Sequence, residues 1–259
     1  MTSHHDKHKP VPTKDGSHTV YSKEFDQHFH NPNGAIAESR HVFFEESGLQ
    51  IELQNCSALS VAETGFGTGL NLLLLLDYIA KLNCTPKVDY YAVEGFPLDA
   101  KVVDLLNYQK FLELPESLPK PSDWFTDLKS GWNHKSVSPQ VNLHLFIGPF
   151  NEWQLDPESI DYFFHDPFSV ENNPEGWTKP FFEKLLAAAK PTALLSTYAA
   201  ATKVRAAMAA AGWQLASAPG ALGKREMTVA SPDAGQLTDF DILKVAHLKE
   251  RYQNEFKDG

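Results

Sequence analysis

Cysteine is nearly missing from this chain: Cys56 and Cys84 are the only two in 259 residues. That is too few for a disulfide framework at this length, so both are read as free thiols. Positive charge is also in deficit. Lys and Arg total 23 against 33 Asp and Glu, a formal net charge of −10. No chain-wide basic footprint of the kind that holds nucleic acid is present. No stretch approaches the roughly 18 apolar residues that would cross a bilayer; the leucine run Leu72 to Leu76 suits a buried helix instead. The N-terminus, Met1-Thr2-Ser3-His4-His5-Asp6-Lys7-His8, lacks the apolar core of an export signal. The cytoplasm is therefore the expected location. The early histidines stand without a second ligand cluster, so no metal site is expected.

What is present is ordinary globular chemistry, 42% hydrophobic and 22% charged, enough for one large α/β domain. Residues 1–20 read as a disordered lead. Residues 21–56 read as an extension packed on the core, with Val42-Phe43-Phe44 and Leu49 to Leu53 as short strands joined by a turn at Glu46-Ser47-Gly48. Strand and helix patterns then alternate through 57–231. Strands are expected at 59–63, 88–94, 141–147, 160–165, 193–198, 213–217 and 226–230. Helices are expected at 70–82, from Pro97 to about Leu112, at 178–189 and at 201–211, the last ended by Gly212. Residues 115–139 look like an irregular insertion. The tail, 232–259, suits one surface helix. Such alternation predicts a doubly wound, mostly parallel, seven-stranded sheet of Rossmann-like type with helices on both faces. The gap between the final two strands is too short for a helical crossover, so one of them runs antiparallel.

The turn Glu63-Thr64-Gly65-Phe66-Gly67-Thr68-Gly69-Leu70-Asn71 leaves the first strand of this pattern and opens a helix. Alternating glycines let backbone pass close to a ligand and take positive φ. In open α/β sheets the ligand crevice lies at the carboxyl ends of the strands, where strand order reverses. A dinucleotide fingerprint needs G-x-G-x-x-G, and here the third glycine comes one residue early. Glu63 would oppose a pyrophosphate but suits a cationic amino-acid end. S-adenosylmethionine, with a sulfonium, an ammonium and no phosphate, fits that charge. Gly65, Phe66, Gly67, Gly69 and Asn71 are its expected cradle, and Glu94, ending the second strand, the expected partner of its ribose. Asp166, in His165-Asp166-Pro167-Phe168-Ser169 after the fourth strand, is the candidate for orienting an acceptor amine and taking its proton. Phe168 and Trp177 are candidates for stacking on a base, with anchoring of the next helix as the alternative for Trp177.

Several blocks, in order, resemble one family. They are Ala62 to Asn71, Phe25-Asp26 through Asn33-Gly34, Glu38 to Phe43, Glu94 to Leu98, Asp166 to Ser169, Asn173 to Thr178, and Gly223-Lys224-Arg225-Glu226-Met227. The chain is similar, over about residues 21–230, to the class I methyltransferase domain of the bacterial tRNA 5-methylaminomethyl-2-thiouridine biosynthesis enzyme. The resemblance implies methyl transfer from S-adenosylmethionine to an aminomethyl group on the wobble uridine of tRNA, and a functional link to the enzymes that make that intermediate. That family's domain is often fused to a flavin-dependent oxidoreductase, so a stand-alone form is expected here. Two departures stand out. Where the family has Gly-Asp after the third strand, with the Asp serving adenine, this chain has Gly148-Pro149; Asn151 or Glu152 is left as the substitute. The chain is also acidic, although residues 196–230 hold Lys203, Arg205, Lys224 and Arg225 against Glu226 alone. Lys224 and Arg225 are the expected phosphate contacts. A small-molecule or protein amine, a non-catalytic cofactor binder and a nicotinamide oxidoreductase remain as rival readings.

Overall fold

The computed structural model describes residues 8–257. The His4-His5 tract lies outside them. The described chain opens with a small antiparallel sheet of β1 (His8–Pro12), β2 (His18–Ser22) and β3 (Gln27–His28). From residue 8 on this corrects the reading of a disordered lead, whose residues 1–7 lie outside the described ones: Pro10 and Pro12 occupy an edge strand, where a missing N–H costs nothing.

The extension that follows is helical, not a hairpin. It consists of α1 (Ala35–Arg40), one π-turn over His41–Glu45, and α2 (Leu49–Asn55) after the left-handed Gly48. Leu49, Ile51 and Leu53 alternate as a strand would. In the helix Leu49 and Leu53 fall one turn apart and are buried, while Ile51 faces out at 62% exposure. The extension covers the next helix, α3 (Leu70–Lys81), reached after β4 (Ala58–Thr64). Phe44 stacks on Tyr78 at 4.8 Å, and Arg40 Nη2 meets Asp77 Oδ2 at 3.3 Å. Being covered on both sides is why α3 is apolar nearly all round.

β5 (Lys87–Glu94) follows, then α4 (Ala100–Val103). This helix is much shorter than the expected run from Pro97 to Leu112. Asp99, not Pro97, sets its start, its Oδ1 accepting the Lys101 N–H at 2.8 Å. Beyond its end Asn107 accepts from His18 N–H (2.8 Å) and donates to Gly16 O (2.9 Å), tying the chain to the N-terminal sheet. Three short 3-10 turns lead to β6 (Gly131–Ser136), a strand inside the supposed irregular insertion. Next come β7 (Val141–Ile147), β8 (Ile160–His165), α5 (Lys179–Ala188), β9 (Ala189–Thr197), α6 (Thr202–Ala211), β10 (Gln214–Pro219), β11 (Glu226–Ser231), β12 (Asp241–Ile242) and α7 (Val245–Arg251).

The main sheet has nine strands, not seven, in the order β12-β10-β11-β9-β8-β4-β5-β7-β6. The two additions are edge strands, each antiparallel to its one neighbour. The seven inner strands keep the expected plan, with β11 antiparallel between β9 and β10. Strand β4 pairs in parallel with both β5 and β8. Strand order reverses there, so a crevice opens at its carboxyl end. One apolar core fills each face, and within one of them Trp213 ties to α5 by donating to Phe182 O at 3.0 Å. Among the described residues no helix is long and apolar enough to cross a membrane.

The helical reading of residues 49–55 predicts that Leu53→Ala lowers unfolding free energy by about 2–5 kcal/mol. Ile51→Ala should stay within about 0.5 kcal/mol. Urea denaturation of both variants measures this; equal losses would restore the strand.

Candidate active site

Gly65, Gly67 and Gly69 all take positive φ, at 86°, 56° and 75°. At Gly65 a Cβ would lie 2.8 Å from the carbonyl oxygen of Asp166, so the turn presses directly on the loop after β8. At Gly69 it would lie 2.9 Å from the Trp124 ring. Side chains are excluded at both points by space as well as by φ. Around this turn lies a cavity of about 390 Å³ at the carboxyl ends of β4, β5, β7 and β8. Of the residues singled out from sequence, Glu63, Gly65, Phe66, Gly67, Asn71, Glu94, Gly148, Pro149, Asp166 and Phe168 line it. Gly69 does not; it starts α3 beneath the wall.

Four carboxyl groups line this one space: Glu175, and three at the strand ends, Glu63, Glu94 and Asp166. Glu63 is buried, its oxygens accepting from Asn71 Nδ2 (2.7 Å) and Tyr90 OH (2.8 Å). Burial pushes its pKa well above the usual carboxylate range, and the charges of Asp166 and Glu94 add to the rise. Glu94 accepts backbone N–H groups from Gly67 (2.8 Å) and Phe96 (2.7 Å), yet burial still raises it. Asp166 is raised well above its ordinary value, first by desolvation and then by the Glu38 charge. Asn71 bridges two of the three, with Nδ2 also 3.4 Å from Asp166 Oδ2. Its own Oδ1 is buried without a partner. An orphaned acceptor among carboxyl groups is a site for a donor with positive charge. The amino-acid end and sulfonium of S-adenosylmethionine match that donor set, and a phosphate does not.

A second cavity, of about 420 Å³, adjoins the first. The two share Phe29, His30, Asp166, Pro167 and Phe168. The second is otherwise walled by residues 26–33, by Glu38 and by Tyr198 and Lys224. Sequence signals place no site residue in 25–33, although the stretch falls within a matching block. Phe25 packs on Phe168 at 5.1 Å and Phe29 does so at 4.9 Å, which ties the N-terminal sheet to the loop after β8. His30 is boxed in by Thr19 (3.2 Å) and Thr68 (3.4 Å), and burial lowers its pKa to about 4, so it is neutral at physiological pH.

Several expectations are displaced. Trp177 lines neither cavity: it is buried, packs edge-on against His165 at 4.6 Å and donates to Phe168 O at 2.8 Å. It braces the Phe168 loop and does not stack on a ligand. Arg205 is buried and spent on Thr228, Glu226, Ser217 and Met227 O, so it drops out of the basic strip. Lys224 is bonded to Glu38 inside the second cavity, while Arg225 projects outward at 93% side-chain exposure beside Glu226. Asn151 and Glu152 line neither cavity, whereas Asn173 and Glu175 line the first together with Gly148 and Pro149.

Residues 117–233 match the family described as S-adenosyl-L-methionine-dependent methyltransferase. The chain is 33% identical over 225 residues to the tRNA 5-methylaminomethyl-2-thiouridine biosynthesis bifunctional protein MnmC of Chromobacterium violaceum, covering 81% of this chain and 33% of that protein. It is 32% identical over 222 residues to the protein of that name from Ralstonia nicotianae, covering 82% and 33%. The chain thus spans about a third of the length of the curated relatives it matches. In fold it is similar to a crystal structure of MNMC2 from Aquifex aeolicus, with a TM-score of 0.69 and 24% identity over 87% of this chain and 70% of that one. Matched segment, sheet order and carboxylate-lined cavity agree, and residues 117–233 carry a segment of the S-adenosyl-L-methionine-dependent methyltransferase family.

Proposed function

We propose that this methyltransferase acts in the cytoplasm on the primary amine of a 5-aminomethyl group at the wobble uridine of tRNA, giving the 5-methylaminomethyl product. The observation that carries the reading is the position of Asp166, on the wall shared by the two cavities. One cavity suits a cationic nucleoside cofactor and the other is open to an acceptor. The similarity to proteins named for 5-methylaminomethyl-2-thiouridine biosynthesis supports the substrate class. A second reading, a small-molecule amine acceptor, is favoured by the net charge of −10 and by the internal pairing of Arg205 and Lys224.

When bound, S-adenosylmethionine supplies a methyl group whose bond to sulfur breaks, the electron pair staying on sulfur, as the acceptor nitrogen's lone pair forms the new N–C bond. The chain's residues hold and orient. Glu63 and Asn71 would hold the cationic amino-acid end, Glu94 the ribose hydroxyls, and Phe66 and Pro149 would supply apolar wall. Asp166 hydrogen-bonds the acceptor amine, aims it at the shared wall, and takes the proton the nitrogen loses. Phe168, braced by Trp177, closes the side where the cavities meet and keeps water away.

Asp166→Asn retains the shape and removes the base. Its turnover should fall by about 10²–10⁴-fold while affinity for S-adenosylhomocysteine stays within a few-fold; undiminished turnover would take Asp166 out of the mechanism. In cells lacking the protein, mass spectrometry of wobble nucleosides should show the 5-aminomethyl form accumulating. Purified protein should methylate that undermodified tRNA in preference to small amines. Unchanged nucleosides, with turnover on small amines alone, would favour the second reading.

A further inference from the structure

The second cavity already holds a primary ammonium, and it is the protein's own. Lys224 Nζ lies 2.7 Å from Glu38 Oε1 and 4.9 Å from the centre of the Tyr198 ring. Both partners are fixed in place. Asn31 Nδ2 donates to the same Glu38 oxygen at 3.0 Å, and Tyr198 OH donates to Pro167 O at 2.9 Å. A carboxylate at the edge of an aromatic face is a general receptor for an alkylammonium ion. It opens onto the cavity that Asp166 shares with the cofactor site. Lys224 itself rides on the tight loop between β10 and β11. Leu222 there holds a left-handed φ of 52°, beside Gly223 at 82°. For a leucine that conformation is costly, so the loop stands at a strained point of the fold.

We propose that Glu38 and the face of Tyr198 form the docking site for the acceptor's own primary ammonium, and that Lys224 fills it until the acceptor displaces it. This rests on the amine-methylating reading above and assigns residues to its acceptor. Docking takes the amine in its charged form, R–NH3+. One N–H bond then breaks, its electron pair staying on nitrogen as the lone pair, and the proton passes to the ionised Asp166 carboxylate. The displaced Lys224 swings out on its loop to the mouth of the cavity, beside the exposed Arg225.

The test uses the purified chain with Glu38→Gln and Lys224→Met, read by steady-state kinetics on undermodified tRNA. Removing Glu38 should raise KM at least about tenfold, the loss of one charge-assisted bond, with S-adenosylmethionine affinity changed far less because Glu38 does not line that cavity and reaches it only through its charge on Asp166. Removing Lys224 should lower KM, because a competitor is gone. A KM unmoved by Glu38→Gln, or one raised by Lys224→Met, would overturn the proposal. The second outcome would make Lys224 an acceptor contact. A binding measurement keeps the test open should Glu38→Gln fold poorly or wild type prove inactive on tRNA. Protein loaded with S-adenosylhomocysteine should bind 5-aminomethyluridine at least tenfold more tightly than uridine, and Tyr198→Leu should erase that preference. Equal affinity of wild type for the two nucleosides would contradict the docking site. Wild-type turnover on tRNA reports separately on the substrate reading.

Discussion

Glu63, Glu94 and Asp166 come from three different strands, and the fold brings their carboxyl groups to one enclosed space at the end of β4. Burial raises all three above their ordinary pKa. Their hydrogen bonds come from neutral donors, namely Asn71, Tyr90 and backbone N–H groups. Such an arrangement holds protons or waits for a cation. Much else follows from this constraint. The glycines of the turn let backbone come within contact of the Asp166 loop, and Asn71, on the first turn of α3, ties Glu63 to Asp166. The buried α3 in turn needs the helical extension to cover it.

The N-terminal segment has a double role. Residues 35–55 seal α3 from solvent, and residues 25–33 wall both cavities. The loop after β8 then becomes a partition rather than a lid. Phe168 is gripped from one side by Phe25 and Phe29 and from the other by the Trp177 indole, whose N–H holds its carbonyl. A partition that carries Asp166 can present one carboxyl group to two ligands, which is the geometric need of a group transfer.

The strand, glycine turn and buried helix at 58–81 were legible because each signal is local: three glycines at positive φ, a run of leucines, and a carboxylate ahead of the turn. That one of the last two strands reverses followed from loop length alone, and pairing with β9 assigns the reversal to β11. Other features depend on partners distant in sequence. The Leu49-Ile51-Leu53 alternation satisfies both the strand and the helix period, and only burial of Leu49 and Leu53 against the core decides between them. Strand β6 carries Trp132 as its one large apolar residue and owes its conformation to pairing with β7. Arg205 and Lys224 read as free cations because Glu226 and Glu38 become their partners only in the fold, the latter from 186 residues away. The walls contributed by Phe29 and His30 had no composition signal at all.

The central claim is that the cavity at β4 binds a cationic sulfur nucleoside through carboxyl groups whose pKa values burial raises. Titration calorimetry in two buffers of different ionisation enthalpy measures it most directly. S-adenosylmethionine should bind one-to-one with net release of protons, because a cation favours the ionised carboxylates. Its affinity should rise with pH through their elevated pKa values. S-adenosylhomocysteine, lacking the sulfonium charge, should release fewer. Binding of neither nucleoside, or binding of S-adenosylmethionine with proton uptake, would contradict the account.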